Sequence, residues 1–224
     1  MMNKAVSLLM ALAGVVLSAS TAQAQDAAAG DVAAGQKKVA MCIGCHGIVG
    51  YQASFPEVHK VPMISGQNAK YISDALNAYK KGDRKHPTMR AIARPMSDAD
   101  IADLSAFYAQ HGASSVKAVA DTPAVQPDAQ VQALLTKGAC VSCHGANFNK
   151  PIDGSYPKIA GQHADYLSVA LRAYKIDNNP QVGRNNAIMS GQVKQFSVPE
   201  LKAMAQYIGS LPGDVRTVPQ SKFR

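Results

Sequence analysis

Apolar positions recur at helical spacing in two separate stretches of the chain, and the stretches match each other. Tyr71, Ile72, Ala75, Leu76 and Tyr79 fall at i, i+1, i+4, i+5 and i+8, and Tyr166, Leu167, Ala170, Leu171 and Tyr174 repeat that spacing. Such a pattern is the buried face of an α-helix. Further on, Ile101, Leu104, Phe107 and Tyr108 form one apolar face, and Leu201, Met204, Tyr207 and Ile208 form its counterpart. Each of these later segments opens with a capping-box signature, Ser97 with Asp100 and Ser197 with Glu200, in which each side chain satisfies a backbone N–H of the first turn. A shorter segment, Asp31 to Met41 in the first unit and Ala129 to Ala139 in the second, leads into the cysteine motif of each. No stretch alternates convincingly as a strand. The expected fold is all-α, with a few helices in each of two tandem units.

The duplication extends to single residues. Met41-Cys42-Ile43-Gly44-Cys45-His46-Gly47 aligns with Ala139-Cys140-Val141-Ser142-Cys143-His144-Gly145. Pro62-Met63-Ile64-Ser65-Gly66-Gln67 aligns with Pro157-Lys158-Ile159-Ala160-Gly161-Gln162, and Ala78-Tyr79-Lys80 with Ala173-Tyr174-Lys175. Met89 lies eight residues before Ser97, as Met189 does before Ser197. Two copies of one unit explain this better than chance. The expected domains are residues 25–110 and 129–224, joined by a linker at 111–128 that contains Gly112, Ser114, Ser115, Pro123 and Pro127.

The N-terminus follows different rules. Lys4 precedes an apolar run from Ala5 to Val16, shorter than the ~20 residues of a membrane span. Ala22-Gln23-Ala24 then offers small residues where a signal peptidase reads. Residues 1–24 are expected to be a secretory signal cleaved before Gln25, leaving a soluble protein in the periplasm. Removing Lys4 lowers the net charge of the 224-residue chain from +8 to +7. An exported chain without a dense basic run is not expected to bind nucleic acid. Its moderate positive charge suits an acidic partner or an anionic membrane face.

All four cysteines lie in two C-x-x-C-H motifs, Cys42/Cys45/His46 and Cys140/Cys143/His144. This is the attachment signature of a c-type haem. Two cysteines three apart on a helical turn can each form a thioether to a haem vinyl group. The histidine that follows then lies under the ring, where its Nε2 can bind iron. Two haems, covalently held, are therefore expected. A thioredoxin-type dithiol would need one motif beside a βαβ pattern, and structural zinc would need four ligands per site; neither is present in the sequence. Each unit is also small for its core, and an enclosed apolar ligand would complete it.

Met89 and Met189 are the expected sixth ligands because they occupy equivalent positions. The competitor Met96 has Phe196 opposite, Met63 has Lys158, and Met41 has Ala139. His/Met ligation raises the potential of the iron and closes it to substrates, so the chain is expected not to be an enzyme. Pro62 and Pro157 have two readings: a backbone carbonyl that accepts from the ligand histidine's Nδ1–H, or a plain turn. Tyr79 and Tyr174 either pack on haem edges or fill core, and core is preferred. His59, His86, His111 and His163 do not repeat and are expected on the surface.

On these motifs, and over nearly all of the mature length, the chain resembles the cytochrome c4 family of dihaem class I cytochromes c. The resemblance implies two cytochrome c folds related by a pseudo-twofold axis, with His46/Met89 and His144/Met189 ligation. It implies an electron-transfer carrier of a respiratory chain. The donor would be a quinol-oxidising complex or a dehydrogenase, the acceptor a terminal oxidase, and some members associate loosely with the membrane. The polar run from Asn178 to Asn186 departs from the pattern and suggests a solvent-exposed second haem. The alternatives are a dihaem electron-accepting subunit of a dehydrogenase such as flavocytochrome c sulfide dehydrogenase, and a dihaem peroxidase, which would need an open sixth position that the repeated methionines argue against.

Overall fold

The structure is a computed structural model that describes residues 30–113 and 119–219. The signal-peptide expectation falls outside the described residues. Ten helices and four two-residue strands are described. The first unit contains α1 (Val32–Lys38), α2 (Ala40–His46), β1 (Gln52–Ala53), β2 (His59–Lys60), α3 (Ala69–Lys81), β3 (Arg84–Lys85), α4 (Pro87–Ala93) and α5 (Asp98–Gln110). The second contains α6 (Ala129–Lys137), α7 (Cys140–His144), α8 (Ala164–Ala173), β4 (Gly183–Arg184), α9 (Ala187–Val193) and α10 (Val198–Ser210). The architecture is all-α with minimal sheet. Among the described residues, no helix is long and apolar enough to cross a membrane.

Local chemistry sets the helix boundaries. Asp31 and Asp128 cap α1 and α6 by accepting from backbone amides of the first turn. Both capping boxes read from the sequence are formed, at Ser97/Asp100 and Ser197/Glu200. Gly82 ends α3 at φ 90°, a left-handed turn that favours glycine. Each last helix packs its apolar face inward. Ile101, Leu104, Phe107 and Tyr108 of α5 are buried, as are Leu201, Met204, Ala205 and Ile208 of α10.

Two features differ from the sequence reading. The strands are real but short: β1 pairs antiparallel with β2, and β3 pairs antiparallel with β4, Arg84 opposite Arg184. Two-residue strands carry no alternation, so periodicity could not reveal them. The second ladder joins the two units. Asn178–Asn186 borders that seam, and Asn178, Asn179, Gln181, Asn185 and Asn186 are exposed. Lys85 Nζ donates to the Asn179 carbonyl at 2.6 Å, and the Asn185 amide donates to the Asp83 carbonyl at 2.6 Å.

The seam between the units is polar and reciprocal. Gln67 Nε2 donates to the Lys158 carbonyl at 2.8 Å, and its Oε1 accepts from the Lys158 amide at 2.9 Å. Gln162, its repeat equivalent, does the same to Met63, at 2.8 and 3.0 Å. Both glutamines are buried, so each amide behaves like one more rung of a β-ladder. Arg172 pairs with Glu57, and the Lys60 amide donates to Asp165 at 3.0 Å. Beyond α10 the chain returns to the first unit, where the Arg216 amide donates to the Ser65 carbonyl at 3.0 Å.

Candidate haem sites

The two C-x-x-C-H motifs lie on α2 and α7, and an apolar cavity of about 580 Å³ reaches both. All four cysteines, His46, His144, Met89 and Met189 line it. Each cysteine is an unpaired thiol. Burial raises the Cys42 thiol and pushes Cys140 up to about 11. A dithiol redox catalyst needs the opposite shift.

The histidines are held in one tautomer. His46 Nδ1–H donates to the Pro62 carbonyl at 2.7 Å, and His144 Nδ1–H donates to the Pro157 carbonyl at 3.0 Å. Burial lowers both imidazole pKa values, against the opposing pull of those hydrogen bonds; the positive charge of Arg84 lowers His46 further. Each ring is thus neutral at physiological pH, with its Nε2 lone pair available to a metal. Met63 and Lys158 follow those prolines and carry the seam hydrogen bonds from Gln162 and Gln67. The histidine environment and the domain seam are therefore one hydrogen-bonded structure.

The methionines sit on α4 and α9, short helices that the sequence reading did not anticipate. Seven residues are too few for helical periodicity to show. Each helix is capped at its start: the Met189 amide donates to Asn186 Oδ1 at 2.9 Å, and the Met89 amide lies 3.5 Å from His86 Nδ1. His86 Nε2–H donates to the Phe55 carbonyl at 3.2 Å, which leaves Nδ1 as the acceptor. His86 and Asn186 are repeat equivalents that do one job with different side chains. Met96 also lines the cavity, but it packs against Ile72, Leu104, Phe107 and Tyr108. Its equivalent Phe196 is a buried core residue. Met189 likewise packs against the buried cluster of its own unit, so it is repeat position, not packing, that distinguishes Met89 from Met96. Lys80 Nζ donates to the Met96 carbonyl at 2.7 Å, and Lys175 donates to the Phe196 carbonyl. These contacts tie the turn after each methionine helix to the C-terminal end of α3 and to the residues just beyond α8.

The surface expectation for the histidines needs correction at His59, which is buried. Its Nδ1–H donates to the Glu57 carbonyl at 2.8 Å, and its ring stacks on Tyr166. A seam between units cannot be seen from one unit's periodicity. The other three are half-buried: His86 as a cap, His111 stacked on Phe107, and His163 at the start of α8.

The sequence reading also missed Arg84 and Arg184, each five residues before Met89 or Met189. That repetition was the available signal. Both guanidiniums line the cavity, with Tyr71, Tyr79, Tyr166 and Tyr174 around them. Arg84 lies 4.7 Å from the ring centre of Tyr79, and Arg184 lies 5.3 Å from that of Tyr174. Burial alone would raise the Tyr166 phenol, but the two guanidiniums outweigh it and bring it down to about 8.

Comparison with known proteins agrees with this geometry. The cytochrome c family model matches residues 32–111 and 129–212. Over 191 residues the chain is 31% identical to cytochrome c4 of Pseudomonas aeruginosa, covering 82% of this chain and 90% of the relative. The chain belongs to the cytochrome c4 family. A crystal structure of reduced cytochrome c4 from Pseudomonas stutzeri superposes with a TM-score of 0.58 at 28% identity, over 82% of this chain and all of that one. A thiosulfate dehydrogenase electron acceptor of Thiomonas intermedia is 27% identical over 188 residues, covering 80% of this chain and 82% of that protein. As a cytochrome c4, the chain carries two covalent haems c and serves electron transfer. The residues fit that cofactor: two thiol pairs, two neutral imidazoles and two thioethers surround one apolar void. Bound haem supplies a one-electron iron couple, whose potential the axial ligands and surroundings set.

Proposed function

We propose that this chain is a periplasmic electron carrier of a respiratory chain, taking electrons from a quinol-oxidising complex or a dehydrogenase and delivering them to a terminal oxidase. It transforms no substrate of its own. Cys42, Cys45, Cys140 and Cys143 hold the two haems by thioether bonds; His46 with Met89, and His144 with Met189, ligate the irons. Pro62 and Pro157 fix the histidine tautomers through their carbonyls, so neither imidazole reorganises when the charge at its site changes. Residues 1–24 direct export and are removed before Gln25. The units are residues 25–110 and 129–224, joined at 111–128.

The observation that carries this reading is the repetition of one donor set. Each end of the cavity offers a neutral histidine and a methionine on a capped helix. Such a site leaves the iron no open position for a substrate. The test is oxidation of the pre-reduced protein by membranes that contain a terminal oxidase, with the mass of the periplasmic form measured alongside. Rapid oxidation by those membranes, and a chain beginning at Gln25, are expected. Failure of oxidase membranes to accept its electrons would refute the terminal-oxidase assignment.

The Thiomonas relative supports a second reading, that a thiosulfate-oxidising or other dehydrogenase is the direct donor. A purified dehydrogenase that reduces the protein faster than quinol-oxidising membranes do would favour it.

A further inference from the structure

The last helix of each unit carries one tyrosine, but not at the same position. Phe107-Tyr108 of α5 corresponds to Tyr207-Ile208 of α10. Tyr207 donates its O–H to the Val125 carbonyl at 2.9 Å. Tyr108 instead lines the haem cavity together with Cys42. Its counterpart Ile208 is buried and lines the same cavity, but its side chain holds no polar atom.

The Tyr108 ring is fixed in place. It is buried, and it meets Phe107 and His111 edge-on, with ring centres 5.1 and 5.8 Å apart. The Tyr108 carbonyl accepts from the Gly66 amide at 2.8 Å. The hydroxyl oxygen is also buried, yet it makes no hydrogen bond to nitrogen or oxygen in the protein. A buried hydroxyl without a partner is costly. The group it does act on is Cys42, which packs against the same buried cluster. There the hydroxyl holds the Cys42 thiol below the value that burial alone would impose. Burial also raises the phenol's own pKa, so it keeps its proton.

Haem attachment gives this contact a direction. A free thiol can donate or accept, whereas a thioether has no S–H and can only accept. The phenol is then the donor. We propose that Tyr108 is a positioning residue of the first haem, whose hydroxyl donates to the Cys42 sulfur once that sulfur is bonded to the cofactor, and that this contact raises the potential of that haem. The inference rests on the haem assignment above. The positive end of the O–H dipole faces a sulfur bonded to the ring, which favours the reduced, less positive centre. Hydrogen bonding around a haem is one of the protein's levers on its potential. Ile208 offers Cys140 nothing of the kind, so the contact is an asymmetry between two sites that otherwise repeat.

Tyr108→Phe keeps the ring and removes only the hydroxyl. The variant and the wild-type holoprotein are compared by spectroelectrochemical titration, with haem counted by mass spectrometry on the same samples. The first haem's step is identified as the one that Met89→Ala displaces. Its potential is expected to fall in Tyr108→Phe while the other stays, so that in the half-reduced protein the electron moves towards the second haem. Infrared difference spectra between the oxidised and reduced protein, recorded with ring-labelled tyrosine, should contain a phenol band that Tyr108→Phe abolishes. A tyrosine that only fills core gives a different result: both potentials unchanged, the tyrosine bands of the difference spectrum unaltered, and thermal stability raised because an unpartnered hydroxyl has gone. That result would overturn the proposal, and so would equal shifts at both haems, which a contact at one sulfur cannot produce. If the wild-type chain carries fewer than two haems, the underlying reading fails instead, and the haem count identifies that case.

Discussion

The two units share the residues that face the cavity and the seam, but differ in the extent of the core behind them. In the first, the buried cluster is small: Ile72, Leu104, Phe107 and Tyr108. In the second it is extensive, including Leu134, Leu135, Phe148, Phe196, Leu201, Met204 and Leu211. The first unit closes α1 against α5 through glycine. A Cβ on Gly35 would lie 2.2 Å from the Asp103 carbonyl oxygen. In the second the main contact is α8 on α10, with Gly209 beneath Ala164; the equivalent pairing in the first unit, α3 on α5, is the lesser one there. His46 and His144, Pro62 and Pro157, Gln67 and Gln162, Arg84 and Arg184, and Met89 and Met189 nonetheless recur at equivalent positions. The comparison teaches that the duplicated feature is a ligand frame and an interface, while each core solves its own packing problem.

The largest expected effect lies in the second core. Leu201 is fully buried, and Leu201→Ala should cost the second unit about 2–5 kcal/mol. The first unit should unfold as before, which domain-resolved hydrogen exchange would show. Gly35→Ala should do the reverse, destabilising the first unit by about 1–3 kcal/mol through a clash with backbone that cannot yield. Equal responses of both units to either variant would dissolve the distinction between them.

The seam should behave symmetrically. Gln67→Ala and Gln162→Ala each remove two hydrogen bonds across it, about 1–3 kcal/mol in all. Amide exchange should quicken at Lys158 in the first variant and at Met63 in the second. A smaller loss, about 1 kcal/mol, is expected from Asn186→Ala, which uncaps the helix of Met189.

Acid should loosen the same seam. Arg172 holds the Glu57 carboxyl below its usual range. At Asp165 burial works upward, but the Lys60 and Tyr166 amides and nearby positive charge outweigh it and lower the pKa. Carboxylates with depressed folded-state values stabilise above the unfolded value near ~4 and lose that contribution as pH falls through the folded value. Small-angle scattering should therefore show the units separating below about pH 4, with the covalent haems still attached.

Much of the frame was legible because it is local or repeated. The C-x-x-C-H motifs, the capping boxes and the middle and last helices all follow from short-range spacing. What escaped depends on contacts between units. Burial of His59, the β3–β4 ladder and the clustering of Arg84 with Arg184 each need both copies folded together. The short helices α4 and α9 escaped for another reason: seven residues give no resolvable period, and their starts are capped by non-identical residues, His86 and Asn186.

The account stands on one closed iron site in each unit. Ferric iron bound to a methionine thioether gives a weak absorption band near the red end of the spectrum, and its intensity in methionine variants tests that claim directly. Met89→Ala and Met189→Ala should each remove about half of the band, and Met96→Ala, which alters a core side chain, should leave it whole. Loss of half the band in Met96→Ala with retention in Met89→Ala would contradict the assignment of the first site and, with it, the equivalence of the two units.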